Sequence, residues 1–324
     1  MQRREFITFL GSAAAVWPLS ARAQFAPAEQ VVLPVVGFLN DLSPDRWSPA
    51  ITALRRALSD AGYIEGRNVA FTYRWTEGRR ERLPTLAADL VRARVAVIVT
   101  SGHTAAAMAA RAATSDIPIV FITGDDPVKF GLVAGLERPG VNATGVYLVK
   151  SADDGTTRQG LLRHVVPGAG VFFNVNIADA SSVVWDSDPE EAIARVFGTT
   201  QTFNINPPVT LPTVRSLMIT SGPFLDSKRR DHLVSLVARK GVPALYDWRD
   251  FAEAGGLMSY GASLTDLYAR MGNYVARILR GESPADLPVL KPTKFETVVN
   301  LRTAAELGIK VPPALLDRAD EVIQ

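Results

Sequence analysis

Val95-Ala96-Val97-Ile98-Val99-Thr100-Ser101-Gly102-His103-Thr104 passes from a β-branched apolar run, through a glycine, into the alanine-rich stretch Thr104-Ala105-Ala106-Ala107-Met108-Ala109-Ala110-Arg111. Residues 95–100 are continuously apolar rather than alternating, the pattern of a strand covered on both faces. The alanines that follow favour helix and carry small side chains, so residues 104–114 read as a helix lying close against a sheet. Strand, glycine turn and helix in succession form part of a βαβ unit, and the same succession recurs on both sides.

Towards the N-terminus, strand patterns cover residues 35–39 and 69–74, and towards the C-terminus they cover 117–122 and 144–148. Ile51, Leu54, Leu58 and Ala61 share one face of a helix over 49–61 that stops at Gly62, a suitable residue just past a helix end. Residues 79–92 repeat that pattern as a single expected helix. The alternation resumes with strands at 217–220, 243–246, 257–260 and 296–300, and helices at 226–240, 266–280 and 302–307. Pro284, Pro288 and Pro292 mark a linker, since Asp286-Leu287-Pro288 cannot continue a helix. Residues 178–212, with Asn204-Ile205-Asn206-Pro207-Pro208, show neither period and receive no element.

At the N-terminus, Arg3-Arg4-Glu5-Phe6-Ile7 precedes the uncharged residues 8–21, and Ala21-Arg22-Ala23 places small residues where a signal peptidase cuts. Residues 1–23 therefore read as a twin-arginine signal, too short to span a bilayer, with export to the periplasm expected. Pro18 disfavours an ordinary helix there. Removing Arg3, Arg4, Arg22 and Glu5 takes the 35 basic and 33 acidic residues to 32 of each. A neutral chain is a poor phosphate-backbone binder, so no nucleic-acid partner is expected. The absence of cysteine removes disulfides, thiol nucleophiles, thiolate metal sites and a lipidated anchor. A soluble monomer is expected.

His103, His164 and His232 are the only histidines, and none has the spacing that brings two to one metal. There is no Gly-x-Ser-x-Gly elbow, no phosphate loop and no dinucleotide fingerprint after the first strand. No catalytic residue, metal or cofactor is expected, and a hydrolase without a known motif remains the enzymatic alternative.

Several longer stretches resemble one family closely. They are Asp126-Pro127-Val128-Lys129-Phe130-Gly131-Leu132-Val133, Asn142-Ala143-Thr144-Gly145-Val146, Ala254-Gly255-Gly256-Leu257-Met258-Ser259-Tyr260-Gly261, Pro284-Ala285-Asp286-Leu287-Pro288, Pro292-Thr293-Lys294-Phe295-Glu296 and Ala319-Asp320-Glu321-Val322-Ile323. The chain resembles the tryptophan/tyrosine-type substrate-binding proteins of ABC importers. The resemblance implies a type I periplasmic binding fold of two Rossmann-like α/β lobes, each a parallel sheet flanked by helices. It implies capture of a small organic solute, an amino acid or aromatic compound, for an inner-membrane permease and its ATPase. A sensing protein that serves a membrane receptor is the alternative. The expected lobes are residues 31–147 with 256–288, and 148–255 with 289–324. Between Ser151 and Ser221 the chain departs from the family pattern, so the second lobe is expected to be incomplete there.

In open α/β sheets ligands lie beyond the carboxyl ends of the strands, beside helix N-termini. Asn40 and Asp41, Ser101-Gly102-His103-Thr104, and Thr123-Gly124-Asp125 occupy such positions in the first lobe. The hydroxyls of Ser101 and Thr104 suit either a ligand carboxylate or a helix cap, and Asp125 suits a ligand ammonium. In the second lobe the corresponding residues are Asn174, Asn176, Ser221, Phe224, Tyr246, Asp247 and Trp248. Phe224, Tyr246 and Trp248 are either clamps for a planar solute or core packing.

Overall fold

β1 (Val35–Asn40) has five buried residues out of six, as its uninterrupted apolar run requires. It is followed by α1 (Ser48–Asp60), β2 (Ala70–Trp75), a 3₁₀ turn (Arg80–Arg82), α2 (Leu83–Arg92), β3 (Val97–Ser101), α3 (Thr104–Ala113), β4 (Ile119–Thr123) and β5 (Ala143–Tyr147). These strands form an all-parallel sheet in the order β2-β1-β3-β4-β5. The computed structural model describes residues 33–40, 48–77, 79–148, 152–166, 173–176, 216–220 and 227–324.

One face of the first sheet packs Val36, Phe38 and Val99 with Leu54 and Leu58 of α1. The other packs Leu39, Ile98 and Phe121 with Leu90 of α2 and Ala106 and Ala110 of α3. The single helix expected over 79–92 is divided, because α2 has a proline in its first turn. Pro84 has no N–H to donate, so regular α-helical bonding starts there and the preceding turn stays 3₁₀.

The chain continues through α4 (Ala152–Val165), β6 (Phe173–Asn176), β7 (Leu217–Thr220), α5 (Ser227–Arg239), β8 (Ala244–Tyr246), α6 (Arg249–Glu253) and β9 (Met258–Ala262). Next come α7 (Leu264–Leu279), a 3₁₀ turn (Pro284–Asp286), β10 (Phe295–Asn300), α8 (Leu301–Glu306), α9 (Pro313–Leu316) and β11 (Glu321–Ile323). The second sheet has the order β11-β10-β9-β8-β7-β6. Its core includes Leu162 and Val165 of α4, Met218, Leu245, Met258 and Val299. β6 and β7 pair in parallel, Phe173 opposite Leu217 and Asn176 opposite Thr220. The sheet is thus continuous on both sides of residues 177–215, which lie outside the described residues.

Three expectations are corrected. The second sheet is mixed rather than parallel, since β10 runs antiparallel to β9 with Phe295 opposite Ala262. The reason lies in the preceding chain: Leu290 bonds to Gly145 and Tyr147 beside the end of β5, so β10 enters at the end where β9 finishes. The strand β9, expected in the first lobe, belongs to the second sheet. The chain returns to the first lobe after β9, at Ser263, and enters α7, where Gly272 leaves room for the carbonyl of Leu54 on α1. Finally, Val289 and Leu290 stay bonded to the first lobe, at Leu136 and Gly145, so the last crossing falls at residues 291–294 rather than after 288.

Candidate functional site

The strand order turns back between β1 and β3, and a ligand site is expected beyond the carboxyl ends of strands at such a point. Parallel register brings Asn40 level with Ser101, and Thr123 level with Tyr147. Gly102, at φ 102°, makes the sharp turn from β3 into α3 that a side chain would oppose. His103 occupies the N-cap position of α3 and makes no side-chain cap bond. The cap reading of Ser101 and Thr104 therefore fails: both hydroxyls are used elsewhere.

Ser101 points inward. Asn40 donates its Nδ2 to the Ser101 hydroxyl at 3.2 Å, and Tyr268 of α7 is hydrogen-bonded to the same oxygen. All three side chains are buried. Asn40 and Ser101 accordingly brace the rim from beneath.

Thr104 instead joins the rim. Its hydroxyl is hydrogen-bonded to that of Thr123 and donates to the carboxylate of Asp125. The Asp125 N–H donates to Thr123 Oγ1 at 3.1 Å, and Thr123 in turn donates to the Asp125 carbonyl at 3.2 Å. Gly124 and Asp125 are exposed. Asp126 is turned away, its carboxylate accepting the N–H groups of Val128 at 2.9 Å and Lys129 at 3.2 Å. It caps a turn. Tyr147, unremarked in the sequence because it closes an apolar strand pattern, is partly buried. Burial lifts its phenol pKa, and the negative charges of Asp126 and Asp125 lift it further.

The second lobe treats its aromatics differently. Tyr246 is buried, with its ring stacked on Phe251 at 4.9 Å and 12°, and a Cβ on Gly256 would lie 2.6 Å from its Cε2. It is core, not a clamp, and burial pushes its phenol pKa well up. Trp248 is also buried, at the N-cap of α6 without a cap bond from its side chain. Asp247 is buried too, and Gly261 of β9 approaches its carbonyl so closely that a Cβ would fall 1.7 Å from the oxygen. Asn174 and Asn176 lie on β6, Asn176 at its carboxyl end, with side chains outside the described residues. Asp41, Ser221, Phe224 and residues 1–23, expected to be a signal, also fall outside them.

The arrangement on the first lobe can hold two opposite charges. Asp125 is an acceptor for a cation, and the start of the ten-residue helix α3 carries outward N–H groups and positive partial charge. Among the described residues no group of three His, Cys, Asp or Glu could hold a metal ion, and no helix is long and apolar enough to cross a membrane.

Comparison with known proteins adds the following. A family model described as ABC transporter substrate binding protein matches residues 36–184 and 228–323. A tyrosine-binding protein from Clostridioides difficile (strain R20291) is 26% identical over 266 residues, 79% of this chain and 75% of that protein. The crystal structure of an ABC domain from Streptococcus pneumonia in complex with L-Trp superposes with a TM-score of 0.71 at 22% identity, covering 90% of this chain and all of that one. A ligand-free, open substrate-binding protein with adhesive properties from Clostridium difficile gives a TM-score of 0.66 at 21% identity, covering 90% of this chain and 100% of that one. These two structural likenesses place the chain in the type I periplasmic binding fold.

Proposed function

This chain belongs to the ABC transporter substrate-binding protein family, and on that footing we propose that it binds an aromatic amino acid and delivers it to a membrane permease and its ATPase. The observation that carries the ligand class is the cluster of Thr104, Thr123 and Asp125 at the start of α3. An amino acid presents an ammonium and a carboxylate on one carbon. Asp125, oriented by the Thr104 hydroxyl, takes the ammonium, while the first N–H groups of α3 take the carboxylate, with Gly102 allowing close approach. A micromolar complex needs roughly 8 kcal/mol, towards which several charge-assisted hydrogen bonds and the burial of the solute's ring contribute. The aromatic preference is supported by what the tyrosine-binding relative and the tryptophan complex are named for.

We infer Asp41, Asn174, Asn176, Ser221, Phe224 and the backbone at Asp247 as further candidates for ligand contact. The chain crosses between the sheets after β5, at Ser263 and at residues 291–294, and closure about these three strands traps the solute. Residues 1–23 export the protein by the twin-arginine route to the periplasm.

Thermal unfolding of residues 24–324 against a panel of amino acids, sugars and small peptides tests this. L-Trp or L-Tyr at a hundred times its dissociation constant is expected to add about 2.7 kcal/mol of stability. An upward shift with sugars and none with aromatic amino acids would overturn the ligand class.

A further inference from the structure

Phe71, Tyr73 and Trp75 alternate along β2 and share one face of the sheet with Phe38. Their rings climb the strand nearly parallel to one another, Phe71 to Tyr73 at 6.1 Å and 11°, Tyr73 to Trp75 at 6.2 Å and 7°. Phe38 of β1 packs against both Tyr73 and Trp75 at 5.7 Å. Arg55 of α1, paired with Glu65 at 3.2 Å, holds its guanidinium 5.4 Å from the centre of the Phe71 ring and 5.7 Å from that of Tyr73. The two inner rings are thus covered from α1. Trp75 is the last ring of the ladder, and parallel register sets it level with Asn40, at the carboxyl end of the sheet where a ligand is expected.

Trp75 also differs from the second-lobe aromatics that stood as candidate clamps. Tyr246 and Trp248 are buried, whereas Trp75 keeps part of its surface exposed. In the sheet order β2 lies three places from β4, and neighbouring strands are about 4.8 Å apart, so the strand ends that carry Trp75 and lead to Asp125 are separated by roughly 14 Å. An aromatic amino acid spans that gap. It needs about 2.9 Å between carboxylate and ammonium, about 7 Å from its nitrogen to the far side of its ring, and about 4 Å for ring contact. A leucine bound through the same ammonium ends roughly 3 Å short.

We propose that Trp75 is the platform on which the solute's ring lies, and the residue that makes the site prefer an aromatic amino acid to a shorter one. This rests on the amino-acid reading above. Tyr73 and Phe38 already fix the indole, so little rotamer freedom remains to be lost when a ligand stacks on it. Asp125 and the start of α3 recognise what all amino acids share, and Trp75 reads the side chain.

The test is calorimetric titration of purified native protein, W75L and W75F with L-Trp, L-Tyr and L-Leu, beside denaturant unfolding of each. In W75L the affinity for L-Trp and L-Tyr is expected to fall about tenfold or more, while weak L-Leu binding, followed by displacement, stays within about twofold. W75F, which keeps a ring, should stay within about threefold of native for L-Trp. Native affinity for L-Trp in W75L would overturn the proposal. So would an equal loss for all three amino acids, or W75F as weak as W75L with both variants destabilised, since either result would make Trp75 a packing residue. If the native protein binds neither L-Trp nor L-Tyr, the ligand reading fails and the platform with it, a result distinct from a W75L variant that binds as the native protein does.

Discussion

The Ser101 hydroxyl at the end of β3 is hydrogen-bonded to the Tyr268 phenol of α7, 167 residues along the chain. Asn40 donates to the same oxygen from β1, and α7 is the first element after the crossing at Ser263. The three side chains tie two rim strands to the helix that returns from the second sheet. A buried polar group that loses its partner costs about 1–3 kcal/mol. Ser101→Ala is therefore expected to lower the unfolding free energy by about that much, leaving the affinity for L-Trp unchanged. Denaturant unfolding beside calorimetric titration checks it. An affinity loss at constant stability would put Ser101 on the ligand.

Asp125 should behave in the opposite way. It is exposed, and its carboxylate accepts from Thr104. Asp125→Asn removes a charge-assisted contact to the ammonium worth about 1.5–3 kcal/mol, or roughly 10- to 100-fold in affinity. The unfolding midpoint is expected to stay in place. Equal affinities for the variant and the native protein would remove Asp125 from the site.

Alkaline pH should unfold the protein through its tyrosines. Burial raises the phenol of Tyr246 above the ordinary value of about 10, and Tyr73, Tyr147 and Tyr274 shift the same way. A group whose pKa is raised by folding contributes stability in full below its unfolded value and loses it as pH climbs through the folded one. Stability is expected to hold up to about pH 10 and then fall by up to about 1.4 kcal/mol per pH unit for each such tyrosine. Tyr246→Phe should make that fall shallower, as urea titrations at several pH values would reveal.

Two glycine substitutions should differ in sign. A Cβ on Gly145 would lie 1.9 Å from the Phe121 carbonyl oxygen and 2.6 Å from its nitrogen, so β5 cannot keep its place beside β4. Gly145→Ala is expected to cost more than about 3 kcal/mol. In α4, a Cβ on Gly160 meets nothing within 4 Å. Gly160→Ala should add about 0.5–1 kcal/mol, since glycine loses more freedom than alanine in a helix. Thermal melts of both variants decide the matter.

The sequence by itself determined β1 to β5 and β7 to β10 with most of the helices between them, often to within one or two residues, as with 217–220 and Leu217–Thr220, but not β6, β11, α6 or α9. It also marked Gly102, Thr104, Thr123 and Asp125 as candidates at strand ends. Apolar runs, alanine-rich stretches and helix-ending glycines act on neighbouring residues, so they can be read in order. α4 escaped notice because Gly155, Thr156, Thr157 and Gly160 weaken its helical signal, and it is anchored by Leu161, Leu162 and Val165 against the second sheet. Only the tertiary structure decided the rest: that β10 runs backwards, that the chain crosses at Ser263, that Ser101 faces Tyr268 and that Tyr246 packs on Phe251 and Gly256. Whether a residue at a strand end turns to a ligand or to the core depends on which distant element covers it. That choice is made by burial and hydrogen bonding between segments far apart in the chain.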